Sequence, residues 1–173
     1  QAPFFTVKDY SVSQEIFDLY HDEKLDMLIT SPQPSLENLG KYYESVDYIS
    51  HTDSKRSLFE KAYHIVKSIA LKNKLNLINS LQFNKGRILD IGAGTGDFLS
   101  VAKENGWHTI GVEPSEKAKA IAKKKGVSFV GETSELENHS FDVISMWHVL
   151  EHVPNLNNQI KELKRLLKPN GTL

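Results

Sequence analysis

The stretch "LDIGAGTGDFL", Leu89 to Leu99, sets glycines at 92, 94 and 96 between an apolar lead-in and an apolar continuation. That order reads as strand, tight turn, helix. Glycine at such a turn removes the Cβ that would hold a ligand off, and main-chain N–H groups can then face it. The dinucleotide fingerprint G-x-G-x-x-G needs a third glycine for close helix–strand packing. With Gly92 and Gly94 as its first pair, the third place holds Asp97. The pattern is instead D-x-G-x-G-x-G, from Asp90 to Gly96. A carboxylate in the last turn of the strand repels a pyrophosphate and suits a ligand with a cationic amino group. An NAD-dependent oxidoreductase is the weaker reading for that reason.

From this turn toward the carboxyl end, short β-type runs alternate with helical ones. "RILDI" (87–91) is a buried strand, and "DFLSVAKENG" (97–106) a helix closed by Gly106. "HTIGVEP" (108–114) is a second strand, followed by the helix "SEKAKAIAKKKG" (115–126), with Ser115 as N-cap and Gly126 at its end. "VSFVG" (127–131) and "FDVISMWHV" (141–149) are the third and fourth strands. "PNLNNQIKELKRLLKPNG" (154–171) reads as a helix begun by Pro154 and stopped by Pro169 and Gly171. Such alternation implies right-handed crossovers and a parallel sheet covered on both faces. The expected class is α/β, a Rossmann-like, doubly wound parallel sheet, here incomplete.

A second acid, Glu113 in "GVEPS", ends the second strand 23 positions after Asp90. An acid roughly 20 positions on is where a ribose-binding carboxylate is expected. One carboxylate can accept from both sugar hydroxyls. The bland alternative is a surface acid ahead of a helix.

These three segments, "LDIGAGTGDFL", "GVEPS" and "FDVISMWHVLEHVPN", together resemble class I S-adenosylmethionine-dependent methyltransferases of the small-molecule kind. The likeness is to those with "LEH" after the fourth strand, such as quinone-biosynthesis O-methyltransferases. It covers residues 86–171, about half the chain. The resemblance implies S-adenosyl-L-methionine as cofactor, with Asp90, Gly92, Ala93, Gly94 and Gly96 around its methionine portion. It implies that Glu113 holds the ribose and that Pro114 and Ser115 shape the adenine side. The loop "GETSELE" (131–137) borders adenine in the family, which makes Glu132 and Thr133 candidates, Thr133 through its main chain. The expected reaction is methyl transfer to an oxygen, nitrogen or carbon of a small-molecule acceptor. The alternative is a module that binds the cofactor without catalysis or serves a partner.

"WHVLEH" should face the cofactor, because ligands bind outside the carboxyl ends of strands where strand order reverses. Trp147 or His148 can pack along the methionine arm. Three readings compete for His148, Glu151 and His152. His152 or His148 could act as general base, since imidazole titrates near neutrality. H-x-x-E-H could ligate a metal, but no downstream His or Glu supplies a further ligand, and no metal is expected. The third reading, a loop oriented by hydrogen bonds to the backbone, has most in its favour.

The amino-terminal part divides at residues 53 and 85: an irregular segment 1–53, an amphipathic helix 54–85, then the core from 86. In the helix, Leu58, Phe59, Ala62, Tyr63, Val66, Ile69 and Ala70 recur at three- and four-residue steps. Lys55, Lys61, Lys67 and Lys72 fall on the wet side, and Asp53 or Ser54 caps the first turn. "SPQPS…YYESVDYISHTDS" resembles the leader of bacterial methyltransferases, a mixed or helical lid over the pocket, in which Tyr43, Tyr48 and His51 either touch substrate or cofactor or, the reading with more in its favour, pin the lid to the domain. Such leaders often carry a cysteine pair. This chain has no cysteine, so "HDEKLD" (21–26) is a charged turn rather than a zinc knuckle.

Charge is uneven over the 173 residues. Three lysines face nine acids in 1–50, seven basic residues face two acids in 51–85, and the remainder balances. The basic stretch reads as a solvated helix face rather than a nucleic-acid site, since no aromatics interleave with it. No run approaches the roughly 18 apolar residues that span a bilayer, and no basic, apolar leader opens the chain, so no membrane partner and a cytoplasmic address are expected. "LLKPNGTL" should only enter a fifth strand. The fourth strand would then be an open edge, which implies a fragment, the favoured reading, or an edge covered by the amino-terminal region or by a partner such as a second copy in a dimer.

Overall fold

The computed structural model describes residues 2–43, 58–82 and 84–173. Two compact units divide the chain, Gln1–Ser57 and Leu58–Leu173. Among the described residues no helix is long and apolar enough to cross a membrane.

The first unit corrects the irregular reading of the amino-terminal segment. Strands β1 (Phe5–Lys8), β2 (Ile16–Asp22) and β3 (Met27–Ser31) pair antiparallel in the order β1-β2-β3. Asp9 organises the β1–β2 connection by accepting the main-chain N–H groups of Ser11, Val12 and Ser13. The charged "HDEKLD" segment turns β2 into β3, and His21 Nε2 lies 3.1 Å from Asp26 Oδ1. A one-turn helix α1 (Leu36–Leu39) and a 3₁₀ turn (Gly40–Tyr43) follow. The expected cap at Asp53 or Ser54 and the lid residues Tyr48 and His51 lie outside the described residues, as does the side chain of Tyr43.

The second unit opens with the long helix α2 (Leu58–Leu81). Its buried face is set by Leu75 and Ile78, with Leu71 packed beside them. Val66 and Ile69, expected inside, stay exposed. Lys67, expected in solvent, is drawn into an ion pair with Asp97 at 2.8 Å.

Strands β4 (Arg87–Ile91), β5 (His108–Val112), β6 (Ser128–Val130), β7 (Phe141–Ser145) and β8 (Leu167–Thr172) form a parallel sheet. Its order is β6-β5-β4-β7-β8, so direction of travel reverses between β4 and β7. Helices α3 (Asp97–Glu104), α4 (Glu116–Lys124) and α5 (Leu156–Leu166) link consecutive strands. One core cluster joins α2, α3 and α4 to Ile88 and Val143. A second joins Leu163 and Leu166 of α5 to Leu89, Phe141 and Ile144. Leu89 and Ile88 alternate between the two clusters, as period two requires of a strand covered on both faces.

Two boundaries differ from expectation. The last helix starts at Leu156, capped by Asn155, whose side chain accepts from Asn158 N at 3.1 Å; Pro154 precedes the cap. It stops at Leu166, because Leu167 turns extended (φ −76, ψ 135) ahead of Lys168, the residue before Pro169. Residues 167–172 then form β8, in register with β7 at Phe141↔Leu167 and Val143↔Thr172. Proline has no N–H to give a ladder and is tolerated on such an outer strand. Lys168 Nζ meets both oxygens of Asp142 at 2.8 Å, and Asp142 also accepts Arg87 N at 2.8 Å, tying β8, β7 and β4 together. The open edge expected on the fourth strand is thus covered within the chain, and the reason for a dimer there falls away.

Candidate functional site

The site assembles where the sheet changes direction. Asp90 of β4 and Ser145 of β7 are register partners, and the Ser145 hydroxyl donates to Asp90 Oδ1 at 2.6 Å. Asp90 is 3% exposed. Burial pushes its carboxyl up to about 7, against the opposing pull of the Ser145 hydroxyl and the Lys74 ammonium, while Glu113 adds to the rise. A carboxyl so placed gains from a cation brought beside it.

The chain then leaves β4 through three left-handed glycines, Gly92 (φ +71), Gly94 (φ +53) and Gly96 (φ +70). Gly92 N and Ala93 N both donate to Val112 O, at 2.8 and 3.1 Å, which clips the turn to the end of β5. What a Cβ would meet separates the three. At Gly92 it would lie 2.4 Å from Val149 Cγ2, so the segment after β7 sits directly on the turn. At Gly96 it would lie 2.6 Å from Ala122 Cβ and 3.1 Å from Val127 Cγ2. At Gly94 nothing stands within 4 Å. Gly94 is therefore the open approach, whereas Gly96 lets α3 pack on α4 and β6. Close packing is the task of the third glycine in the dinucleotide pattern, carried out here one residue earlier.

Asp97 opens α3. It binds Lys67 Nζ and Lys125 Nζ at 2.8 Å each and accepts the Thr95 hydroxyl at 2.8 Å. Burial raises its carboxyl, but the hydrogen bonds from Lys125, Lys67 and Thr95 prevail and hold it at about 2.

Glu113 leans over the turn. Its Oε2 accepts Gly94 N at 2.8 Å, and its Oε1 accepts Ser115 N at 2.9 Å. One lone pair on each oxygen remains for a ligand. Ser115 caps α4 as expected, accepting Ala118 N at 3.3 Å, and Pro114 between them is exposed.

The loop after β6 is internally committed. Glu132 N donates to Glu135 Oε1 at 2.8 Å, and Ser134 Oγ donates to Glu132 Oε2 at 3.2 Å. Thr133 bonds Glu162 through its hydroxyl, and its carbonyl accepts Arg165 Nη2 at 3.0 Å. Arg165 also reaches Leu136 O and Asn138 Oδ1, so α5 sets the shape of this loop. Sequence reading did not single Arg165 out: beside its pair with Glu162, three residues away, its contacts are to carbonyls distant in the chain.

Beyond β7, Trp147 packs edge-on against Phe98 with ring centroids 5.8 Å apart, and Lys74 Nζ stands 4.5 Å over its ring. Its Nε1 is buried and has no acceptor among the described residues. The fourth strand ends at Ser145 rather than at 149, and in the turn beyond it His148 takes a left-handed conformation (φ 58). Its side chain is 88% exposed, and Nδ1 lies 3.9 Å from Glu151 Oε1. Leu150–His152 form one 3₁₀ turn, so His148 and His152 do not share the face that an α-helix would give them. Both imidazoles are exposed. Among the described residues no group of three His, Cys, Asp or Glu could hold a metal ion. Beside Trp147 lies an apolar hollow of about 300 Å³, walled by Leu77, Leu81, Met146, Leu150 and Ile160. Its lining carries no charged side chain and suits no zwitterion.

A family model described as a methyltransferase domain matches residues 48–173. Ubiquinone biosynthesis O-methyltransferase of Vibrio cholerae is 34% identical over 121 residues, 64% of this chain and 49% of that protein. The Hahella chejuensis protein of the same name is 32% identical over 97 residues, 50% and 41% of the two chains. The chain thus spans about half the length of the curated relatives it matches. Among solved structures, a SAM-dependent methyltransferase from Thermotoga maritima is 33% identical with a TM-score of 0.50, covering 63% of this chain and 52% of that one. Magnesium protoporphyrin IX methyltransferase from Synechocystis shares the fold at 17% identity, with a TM-score of 0.58 and 78% and 74% coverage.

Proposed function

The chain belongs to the methyltransferase-domain family, and on that premise we propose that it binds S-adenosylmethionine over the β4–α3 turn and passes its methyl group to a small-molecule acceptor. The observation that carries this reading is the Glu113 carboxylate, fixed by Gly94 N and Ser115 N beside the one glycine of the turn with open space around it. The residues fit the group. Asp90 is a buried carboxyl short of positive charge, and the methionine arm ends in an ammonium. Glu113 keeps acceptor capacity for two ribose hydroxyls. Gly94 lets the ligand lie against the main chain.

When bound, the cofactor supplies a methyl group activated by a sulfonium. The work of the protein is then to position that group and to exclude water. Asp90 receives the ammonium, Glu113 the sugar, and Trp147 lies along the arm. Pro114, Glu132 and Thr133 border the adenine side, Thr133 through its main chain because its hydroxyl is engaged with Glu162. The matched relatives methylate oxygen by name, so phenolic and other hydroxyl acceptors are the first class to assay. With His148 and His152 both exposed, a general base is assigned to neither.

Isothermal titration tests the reading. Wild-type protein should bind S-adenosylmethionine, and Glu113→Gln should weaken binding by about 1–3 kcal/mol. Unchanged affinity would put the sugar elsewhere, and an absence of binding to wild type would end the proposal. The exposure of His148 favours one second reading, a module that binds cofactor without transfer. Binding without methyl release to any hydroxyl, amine or carbon acceptor would select it.

A further inference from the structure

At the end of the parallel sheet opposite the glycine turn, β4, β5 and β6 begin at a cleft of about 420 Å³. Arg87, Lys103, His108, Ile110, Gly126 and Ser128 are among its walls. Arg87 and His108 are register partners on β4 and β5, and Ser128 of β6 pairs with Ile110. Period two therefore sets Arg87, His108 and Ser128 on one face of the sheet, the face of Leu89 and α5. This cleft gathers donors and has no acid: among the described residues no Asp or Glu lines it. Arg165 spends its guanidinium on Glu162, Asn138 and the carbonyls of Leu136 and Thr133. The Arg87 guanidinium, by contrast, forms no salt bridge and no hydrogen bond among the described residues, and rests 4.9 Å over the Phe141 ring. Asp142, which accepts the Arg87 main-chain N–H, is already neutralised by Lys168. The side chains of His108 and Ser128 likewise bond no described residue. Lys103 gives one hydrogen to Gly126 O at 2.6 Å and keeps its other donors.

We propose that this cleft is a second binding site, for the phosphate group of a small phosphorylated molecule. It does not depend on the cofactor reading above. A phosphate group offers several strong acceptor oxygens and negative charge, which is what a set of unspent donors with no acid among them can receive. The planar fork of Arg87 matches two of those oxygens at once, and Lys103 adds a point charge. The Ser128 hydroxyl and an N–H of His108 serve the remaining oxygen. The Phe141 face holds the guanidinium in place before ligand arrives, which limits the side-chain entropy lost on binding. The volume is that of a small-molecule site, and Ile110 gives the rest of the ligand an apolar floor.

Pyrophosphate is the probe, titrated calorimetrically into the protein at constant ionic strength. Wild type should bind it with a dissociation constant of about 1 mM or tighter, as two or three charge-assisted contacts imply. Arg87→Met should weaken binding about 10- to 100-fold, and Arg87→Lys, which keeps the charge and loses the fork, by less. Ser128→Ala removes one exposed hydroxyl and no packing, and should weaken binding about 2- to 10-fold. It decides the matter if Arg87→Met does not fold. Wild type that fails to bind pyrophosphate overturns the proposal, a measurement that needs no variant. Unchanged affinity in Arg87→Met and Ser128→Ala, with thermal unfolding as in wild type, overturns it as well, because the anion would then lie elsewhere. The third arm is a short single-stranded oligonucleotide. If it binds more tightly than pyrophosphate, and loses affinity on replacing Lys123 and Lys124 but not Arg87, the charge serves an extended polyanion surface and the proposal falls.

Discussion

Gly94 and Gly96 share a left-handed backbone and differ only in what surrounds them. Alanine at Gly94 carries the conformational cost of that region, about 1–2 kcal/mol, and meets no atom. Gly94→Ala should lower the melting temperature by a few degrees and yet abolish most cofactor binding, because its methyl fills the approach. Gly96→Ala meets Ala122 at 2.6 Å and must add overpacking to the same backbone cost, for a total of roughly 2–4 kcal/mol. Thermal unfolding and titration of the two variants should rank them in opposite orders. Sequence alone ranks the glycines equally, since spacing shows that a turn exists and not which Cβ position faces a helix. Asp90 and Glu113 were legible because each is an acid at the end of a strand. Lys74 was not: it sits in a helix among other lysines, and only packing puts it over Trp147.

At the scale of elements, Asp97 couples three helices. It begins α3, binds Lys67 on α2, and binds Lys125 at the end of α4. The carboxyl is held at about 2, below its unfolded value, so this stabilisation is present above about pH 4 and is lost as pH falls toward 2. Asp97→Asn should cost on the order of 1–2 kcal/mol at neutral pH, and the melting curves of variant and wild type should converge in that acid window. The elements that sequence placed correctly are those with two independent signals. The helix α4 has both a Ser115 cap and a left-handed Gly126, and α3 has both an apolar face and Gly106. Where one signal was ambiguous the boundary moved. "KPNG" has the composition of a turn, but Leu167–Thr172 gains a ladder to β7 and becomes strand. "IFDLYHD" in the amino-terminal segment carries no apolar–polar alternation, and it becomes β2 through its ladders to β1 and β3.

For the molecule as a whole, the reversal between β4 and β7 puts an acid inside the fold and makes stability depend on its charge. Burial pushes the Asp90 carboxyl up to about 7 in the folded state, far above the ordinary carboxylate range, so the folded protein binds that proton more tightly than the unfolded chain does. The linkage therefore runs opposite to that of Asp97: stability falls as pH rises from about 4 to 7 and stays reduced above. Asp90→Asn, which can still accept from Ser145, should be more stable than wild type at pH 8 by about 1–3 kcal/mol in urea unfolding and nearly equal at pH 4. It should also lose the ammonium of the ligand. On the proposed cofactor reading, part of the stability of the free protein is thus given up to the binding site. The same arrangement sorts the two tryptophans of the chain. Trp107 is sealed in the core, its indole N–H donating to Asn79 Oδ1 at 3.0 Å, while Trp147 stands in the wall beneath the Lys74 ammonium. Intrinsic fluorescence consequently divides into two channels. The emission of Trp107 reports whether the sheet and α2 remain packed, and that of Trp147 reports which charge stands over its ring. With Trp107→Phe as background, and on the proposed cofactor reading, Trp147 emission becomes an optical sensor of site occupancy, free of any label.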